Sequence, residues 1–190
     1  LDLAGGWTDT PPYCLFHGGQ VLNVAVDLNG QPPIQVFVKR NEEPVFVLRS
    51  IDLGESEQVE TDEQLANIGP AGGTFSVAKA ALALAGFLPP FCPETQGTLR
   101  DRLAAFGGGL EVSLLAAVPK GSGLGTSSIL SAAVLGTLSE ACGLGWDHEQ
   151  IVRRTLTLEQ MLTTGGGWQD QAGGILAGIK LVETQPGLEQ

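Results

Sequence analysis

Two histidines, three cysteines and one methionine are all the nitrogen and sulfur side-chain ligands usual at metal sites, and they are not clustered. Cys14, Cys92 and Cys142 show no Cys-x-x-Cys spacing, and His17 and His148 stand far apart, so no zinc or iron pattern is present. An odd, scattered set of cysteines is also no disulfide framework. It reads as small buried hydrophobes in a reducing, cytoplasmic setting. Basic residues are scarce too: 10 Lys and Arg face 21 Asp and Glu, a formal charge of −11. Without a Lys/Arg cluster, nucleic acid and anionic membrane surfaces are not expected partners. No apolar run reaches the roughly 20 residues that cross a bilayer. The most apolar helical stretch is interrupted by Ser131, Thr137 and Ser139.

At 190 residues and 43% apolar content, the chain can close a core of its own within one domain. Alternating segments 21–27, 33–39 and 45–49 read as strands. The polar turn 41–44 pairs the second and third as a hairpin. Residues 52–73 are acidic and punctuated by Gly and Pro, a surface loop with a short helix near 63–67. An Ala/Leu-rich helix is expected over 75–87, stopped by Pro89-Pro90. A strand over 110–118 leads into a helix over 127–142, closed by Gly143. Asp147 caps a further helix to about residue 162, and residues 173–182 read as a last strand. This is an α+β pattern.

The most informative run is Pro119-Lys120-Gly121-Ser122-Gly123-Leu124-Gly125-Thr126-Ser127-Ser128, which opens the helix over 127–142. Its three glycines permit positive φ and close approach of a ligand, and three successive hydroxyls follow. The free amides and positive dipole end of the next helix suit an anion, and a phosphate is the natural one. No Gly-Lys-Ser/Thr closes a Walker A loop, and Thr126 stands where a dinucleotide fingerprint has its third glycine.

Two further segments matter: Asp2-Leu-Ala-Gly-Gly-Trp-Thr-Asp-Thr-Pro-Pro-Tyr13 and Leu158-Glu-Gln-Met-Leu-Thr-Thr-Gly-Gly-Gly-Trp-Gln-Asp-Gln171. With the loop, and with the stretch from Thr98 to Gly109, they resemble the GHMP kinase superfamily, in its fucokinase and heptose 7-phosphate kinase branch. The resemblance implies the GHMP kinase N-terminal domain, of the ribosomal protein S5 domain 2-like fold, with a mixed sheet and helices on one side. It also implies that residues 1–190 are a partial kinase domain, truncated at both ends and lacking the C-terminal domain.

The implied chemistry is ATP-dependent phosphorylation of the anomeric hydroxyl of L-fucose, with Mg²⁺ as cofactor. A heptose 7-phosphate kinase and a catalytically silent nucleotide and sugar sensor are the alternatives. In some relatives a nucleotidyltransferase domain is fused to the kinase. By resemblance, Pro119, Gly121, Ser122, Gly123, Leu124, Gly125, Thr126, Ser127 and Ser128 line the nucleotide phosphates, with Ser128 either capping the helix or binding phosphate. Ser127 and Glu159 match the Mg²⁺ ligands. Asp170, flanked by the glycine turn 165–167, matches the aspartate that takes the proton of the attacking hydroxyl. Gly6, Trp7, Asp9, Gly167 and Trp168 are the expected sugar site, since a carboxylate accepts from sugar hydroxyls and an aromatic face suits a pyranose. The second phosphate of a heptose substrate requires extra Arg or Lys, and Lys39, Arg40, Arg49, Arg100 and Arg102 serve only if the fold delivers them.

Overall fold

The computed structural model describes residues 1–70, 72–92, 97–118, 122, 124–162 and 167–187. One sheet joins β1 (Asp2–Ala4), β2 (Gly19–Val24) and β7 (Ile179–Thr184), all antiparallel, in the order β1-β2-β7. The other contains β3 (Ile34–Asn41), β4 (Phe46–Ser50), β5 (Glu55–Val59) and β6 (Gly109–Ala116), in the order β3-β6-β4-β5. Its β6–β4 pairing is parallel and the rest are antiparallel, so the sheet is mixed.

Period-2 alternation decides which face of this sheet is covered. Leu110, Val112 and Leu114 of β6 are buried with Phe46 and Leu48 of β4. Between them Glu111 points the other way, bridging Lys39 (3.3 Å) and Arg49 (3.2 Å) across three strands. The covered face meets α3 (Ser76–Leu82), whose Ala78, Ala80 and Ala81 are wholly buried, and α5 (Thr126–Cys142), which presents Val134, Leu135 and Leu138. Behind them, α6 (His148–Met161) packs on α5 through Ile151 and Leu158. Helices therefore lie on one side of the mixed sheet, as expected.

Local signals set the ends of these helices. Asp147 accepts from the Gln150 amide in a capping box at α6, and Gly143 closes α5 in the left-handed region. Two further capping boxes start α2 (Asp62–Ala66, from Thr61) and α4 (Leu99–Phe106, from Thr98). Helix α3 ends in a wide turn over Ala83–Phe87, where Gly86 has φ 95°. Between β1 and β2, α1 (Tyr13–His17) follows Pro11-Pro12, and α7 (Gln169–Ile175) precedes β7.

Three sequence expectations need correction. Strands β3 and β4 are not a hairpin: β6 lies between them, antiparallel to β3 and parallel to β4. Glycine makes the insertion possible. A Cβ on Gly109 would sit 1.8 Å from the Val45 carbonyl oxygen, and the Gly109 amide donates to Glu43 at 2.9 Å. Residues 55–59, within the expected surface loop, form edge strand β5, in which only Val59 is buried. Residues 169–175 are helix α7, so the expected last strand begins only at Ile179.

Candidate active site

Helix α5 has no side-chain cap among the described residues. Gly125 is its N-cap, at φ 65° and ψ 21°, and no side chain of the described residues bonds the first-turn amides. The glycine-rich run thus ends on an open helix N-terminus of 17 residues, a partial positive charge with free donors. Of the loop, Ser122 and Leu124 to Ser128 are described; Pro119, Gly121 and Gly123 lie outside the described residues, as do glycines 165 and 166 of the later turn. Ser122 and Thr126 bring their hydroxyls within 3.4 Å of each other, and Leu124 and Ser127 are exposed.

The serine that meets Glu159 is Ser128. Its hydroxyl donates to Glu159 Oε1, and Gln171 Nε2 donates to Oε2 at 2.5 Å. Ser128, Glu159 and Gln171 are all buried, whereas Ser127, the expected partner of Glu159, faces solvent. Ser128 is thus neither a cap nor an open phosphate donor in this structure. Burial pushes the Glu159 carboxyl above its ordinary value. Bonds from Ser128 and Gln171 pull the other way, and nearby Asp170 adds to the upward push.

Asp170 sits in the first turn of α7, at the mouth of α5. A Cβ on Gly125 would lie 2.7 Å from its Cγ and from Oδ1, so only glycine lets the carboxylate come this close to the loop. Desolvation raises its pKa first, and the negative charges of Asp2 and Asp9 raise it further. A cavity of about 380 Å³ holds Asp170 with Ser122 and Gly125 to Ser128. Val77, Leu114, Ala116, Leu130 and Leu162 make its apolar wall, and Ser50 and Asp52 stand at its edge. Sequence reasoning missed Ser50 and Asp52, because nothing local marks the end of an ordinary strand as a pocket rim.

The expected sugar residues divide. Trp7 is 75% exposed, with φ 70°, and its amide donates to Gln169 Oε1 at 2.9 Å. Gly6 has room beside Asp2. Asp9 and Trp168 are interior instead, at 1% and 6% exposure. The Asp9 Oδ2 accepts the Gln169 amide at 2.8 Å, and a Cβ on Gly167 would fall 1.9 Å from that oxygen. Burial raises the Asp9 pKa, against the lowering effect of the Gln169 amide. The Trp168 ring packs on Gly19 of β2.

The basic residues do not gather here. Lys39 and Arg49 pair with Glu111, Arg40 stacks on Phe106, and Arg102 is tied to Asp62. No Lys or Arg among the described residues lines the cavity. Nor does any group of three or more His, Cys, Asp or Glu among them make a metal cluster. No helix among the described residues is long and apolar enough to cross a membrane.

Comparison with known proteins gives this geometry its family. Residues 94–178, from the approach to α4 through α7, match the GHMP kinases N terminal domain. Those residues carry the match to a GHMP kinase N-terminal domain. Over all 190 residues it is 56% identical to the L-fucokinase/L-fucose-1-P guanylyltransferase of Bacteroides fragilis. Over 188 residues it is 36% identical to the bifunctional fucokinase/GDP-fucose pyrophosphorylase of Arabidopsis thaliana. It spans 20% and 17% of those two proteins. The crystal structure of a D-glycero-D-manno-heptose 1-phosphate kinase from Bacteroides thetaiotaomicron superposes on 99% of the chain with a TM-score of 0.70 at 20% identity, over 55% of its own length. That likeness shows the GHMP kinase fold.

Proposed function

We propose that the protein carrying this domain is an ATP-dependent sugar kinase that phosphorylates the anomeric hydroxyl of L-fucose, the entry step of GDP-fucose salvage. The carrying observation is the shared cavity, in which the Asp170 carboxylate abuts the uncapped N-terminus of α5 and the loop hydroxyls. Phosphoryl transfer asks a protein for alignment and charge stabilisation more than for covalent chemistry. The amides of α5 and the loop hydroxyls hold the nucleotide phosphates, and the apolar wall of Val77, Leu114 and Leu130 takes the base. Asp170 accepts a hydrogen bond from the anomeric hydroxyl and takes its proton as the new oxygen–phosphorus bond forms. The electron pair of the broken bond leaves on ADP.

The donor set fits magnesium: Glu159 and the hydroxyls of Ser127 and Ser128 are hard oxygen ligands beside the phosphate loop. When bound, the ion neutralises charge on the phosphates. Each oxygen of Glu159 already accepts a bond within the protein, one from Ser128 and one from Gln171.

L-Fucose as acceptor is supported by the name of the 56%-identical relative. The second activity in both relatives' names supports a fused nucleotidyltransferase domain in the parent chain. A phosphorylated heptose would need Arg or Lys for its second phosphate, and Lys39, Arg40, Arg49 and Arg102 are engaged elsewhere. The test is turnover of the full-length protein with MgATP on L-fucose, D-arabinose, L-galactose and heptose 7-phosphate, with Asp170→Asn as control. Turnover on L-fucose that collapses in the control is expected. Turnover confined to the phosphorylated heptose contradicts the assignment, and binding without turnover makes the protein a sensor.

A further inference from the structure

Gln169, the residue before Asp170, is pinned at three atoms by partners far away in sequence. Its amide donates to Asp9 Oδ2 (2.8 Å), its carbonyl accepts from Asn23 Nδ2 (3.2 Å), and its Oε1 accepts from the Trp7 amide (2.9 Å). Asn23 is the partner that the sequence offered no reason to notice. It sits next to the end of β2, between Leu22 and Val24, and is 1% exposed. A buried amide on a strand face otherwise open to an apolar side chain costs stability unless its bonds repay the desolvation. Here Asn23 Oδ1 has no partner among the described residues, so only the donor half of the amide is used.

The helix is shaped to admit that donor. A Cβ on Gly173 would lie 2.7 Å from Asn23 Nδ2. Gly173 lies one helical turn after Gln169 on the same face of α7, so its missing side chain leaves the room through which Asn23 reaches the Gln169 carbonyl. Glycine within a helix is less favourable than alanine, so the site gives up helix propensity where the contact is made.

From this geometry we infer that Asn23 is a positioning residue for phosphoryl transfer: with Gly173 it fixes the first turn of α7, and through Gln169 the place of the Asp170 carboxylate against Gly125. The inference rests on the reading of Asp170 as proton acceptor. Asn23 touches neither nucleotide nor sugar in this scheme; it acts through the backbone of the neighbouring residue. A misplacement of about 1 Å can cost on the order of 100-fold in rate, and a carboxylate packed against a missing Cβ has little slack.

The test is a double-mutant cycle in the full-length protein, with turnover counted per nucleotide-binding site so that misfolded molecules do not enter. Asn23→Leu removes the donor at similar volume. Gly173→Ala disturbs it from the other side while adding helix propensity, and keeps the test available should Asn23→Leu fold poorly. Each is expected to lower kcat about 10- to 100-fold, with KM for MgATP changed less than about 2-fold. In an Asp170→Asn background neither is expected to lower it further. An unchanged kcat in both single variants, or the same fold loss with and without Asp170, overturns the inference and makes Asn23 a packing residue. Wild-type turnover in Asp170→Asn alone would remove the underlying reading of Asp170 instead.

Discussion

Asp170 works against its surroundings. It is half-buried, faces the negative charges of Asp2 and Asp9, and has its carboxyl pushed above the ordinary value near 3.9. A raised pKa makes it a better proton acceptor at neutral pH than an exposed aspartate. Activity is therefore expected to fall on the acid side with a midpoint above that ordinary value, and a kcat profile against pH checks this. Asp170→Asn is expected to cost about 10²–10⁴-fold in turnover without lowering the melting temperature, because it also removes a desolvated charge. Gly125→Ala should do the reverse in part: it forces a left-handed alanine, at about 1–2 kcal/mol, and drives a methyl into Asp170. Loss of both turnover and denaturant stability is the expected result, whereas an active, equally stable variant would mean that the carboxylate does not sit where it is described.

Among the elements, α5 carries both core and site. Its apolar face, Val134, Leu135 and Leu138, is sealed between the sheet and α6, and its first turn holds the loop serines. Leu138→Ala is expected to cost about 2–5 kcal/mol of stability, read by denaturant unfolding, while leaving the loop chemistry in place. Helix boundaries of this kind were legible in the sequence. Gly143 and Asp147 mark them by local hydrogen bonding, and α5 and α6 fall within a residue or so of expectation. Pairing between distant strands was not. The turn at 41–44 has hairpin length, but the partner of both flanking strands is β6, some 60 residues on, admitted by Gly109. The two glycines of α7 misled in the same way. They suit tertiary approach, Gly173 to Asn23 and Gly174 to Ile129, rather than strand structure. At the site, the loop and the later glutamate and aspartate could be recognised as a set. That Ser128 rather than Ser127 would bond Glu159 could not, because adjacent helical residues differ by about 100° in direction, and only packing decides which is inside.

On the scale of the whole molecule, three desolvated carboxyls share one trend. Asp9, Glu159 and Asp170 all titrate above their ordinary values, chiefly through desolvation. A carboxyl raised on folding contributes stability that is complete below its unfolded pKa, near 4, and is lost as pH rises through the folded value. The nucleotide-free, metal-free protein should therefore lose this contribution as pH rises from about 4 through the folded values. The gap in melting temperature between Asp170→Asn and the parent should widen in favour of the variant over the same range. A net charge of −11 adds self-repulsion at neutral pH, a further cost in stability. The measurement that bears most directly on the whole account is phosphorus NMR of the product formed from MgATP and L-fucose by the full-length protein. A phosphate resonance coupled to the anomeric proton, absent with Asp170→Asn, is the predicted result. A phosphate on any other position, or product formed equally well by Asp170→Asn, would contradict it.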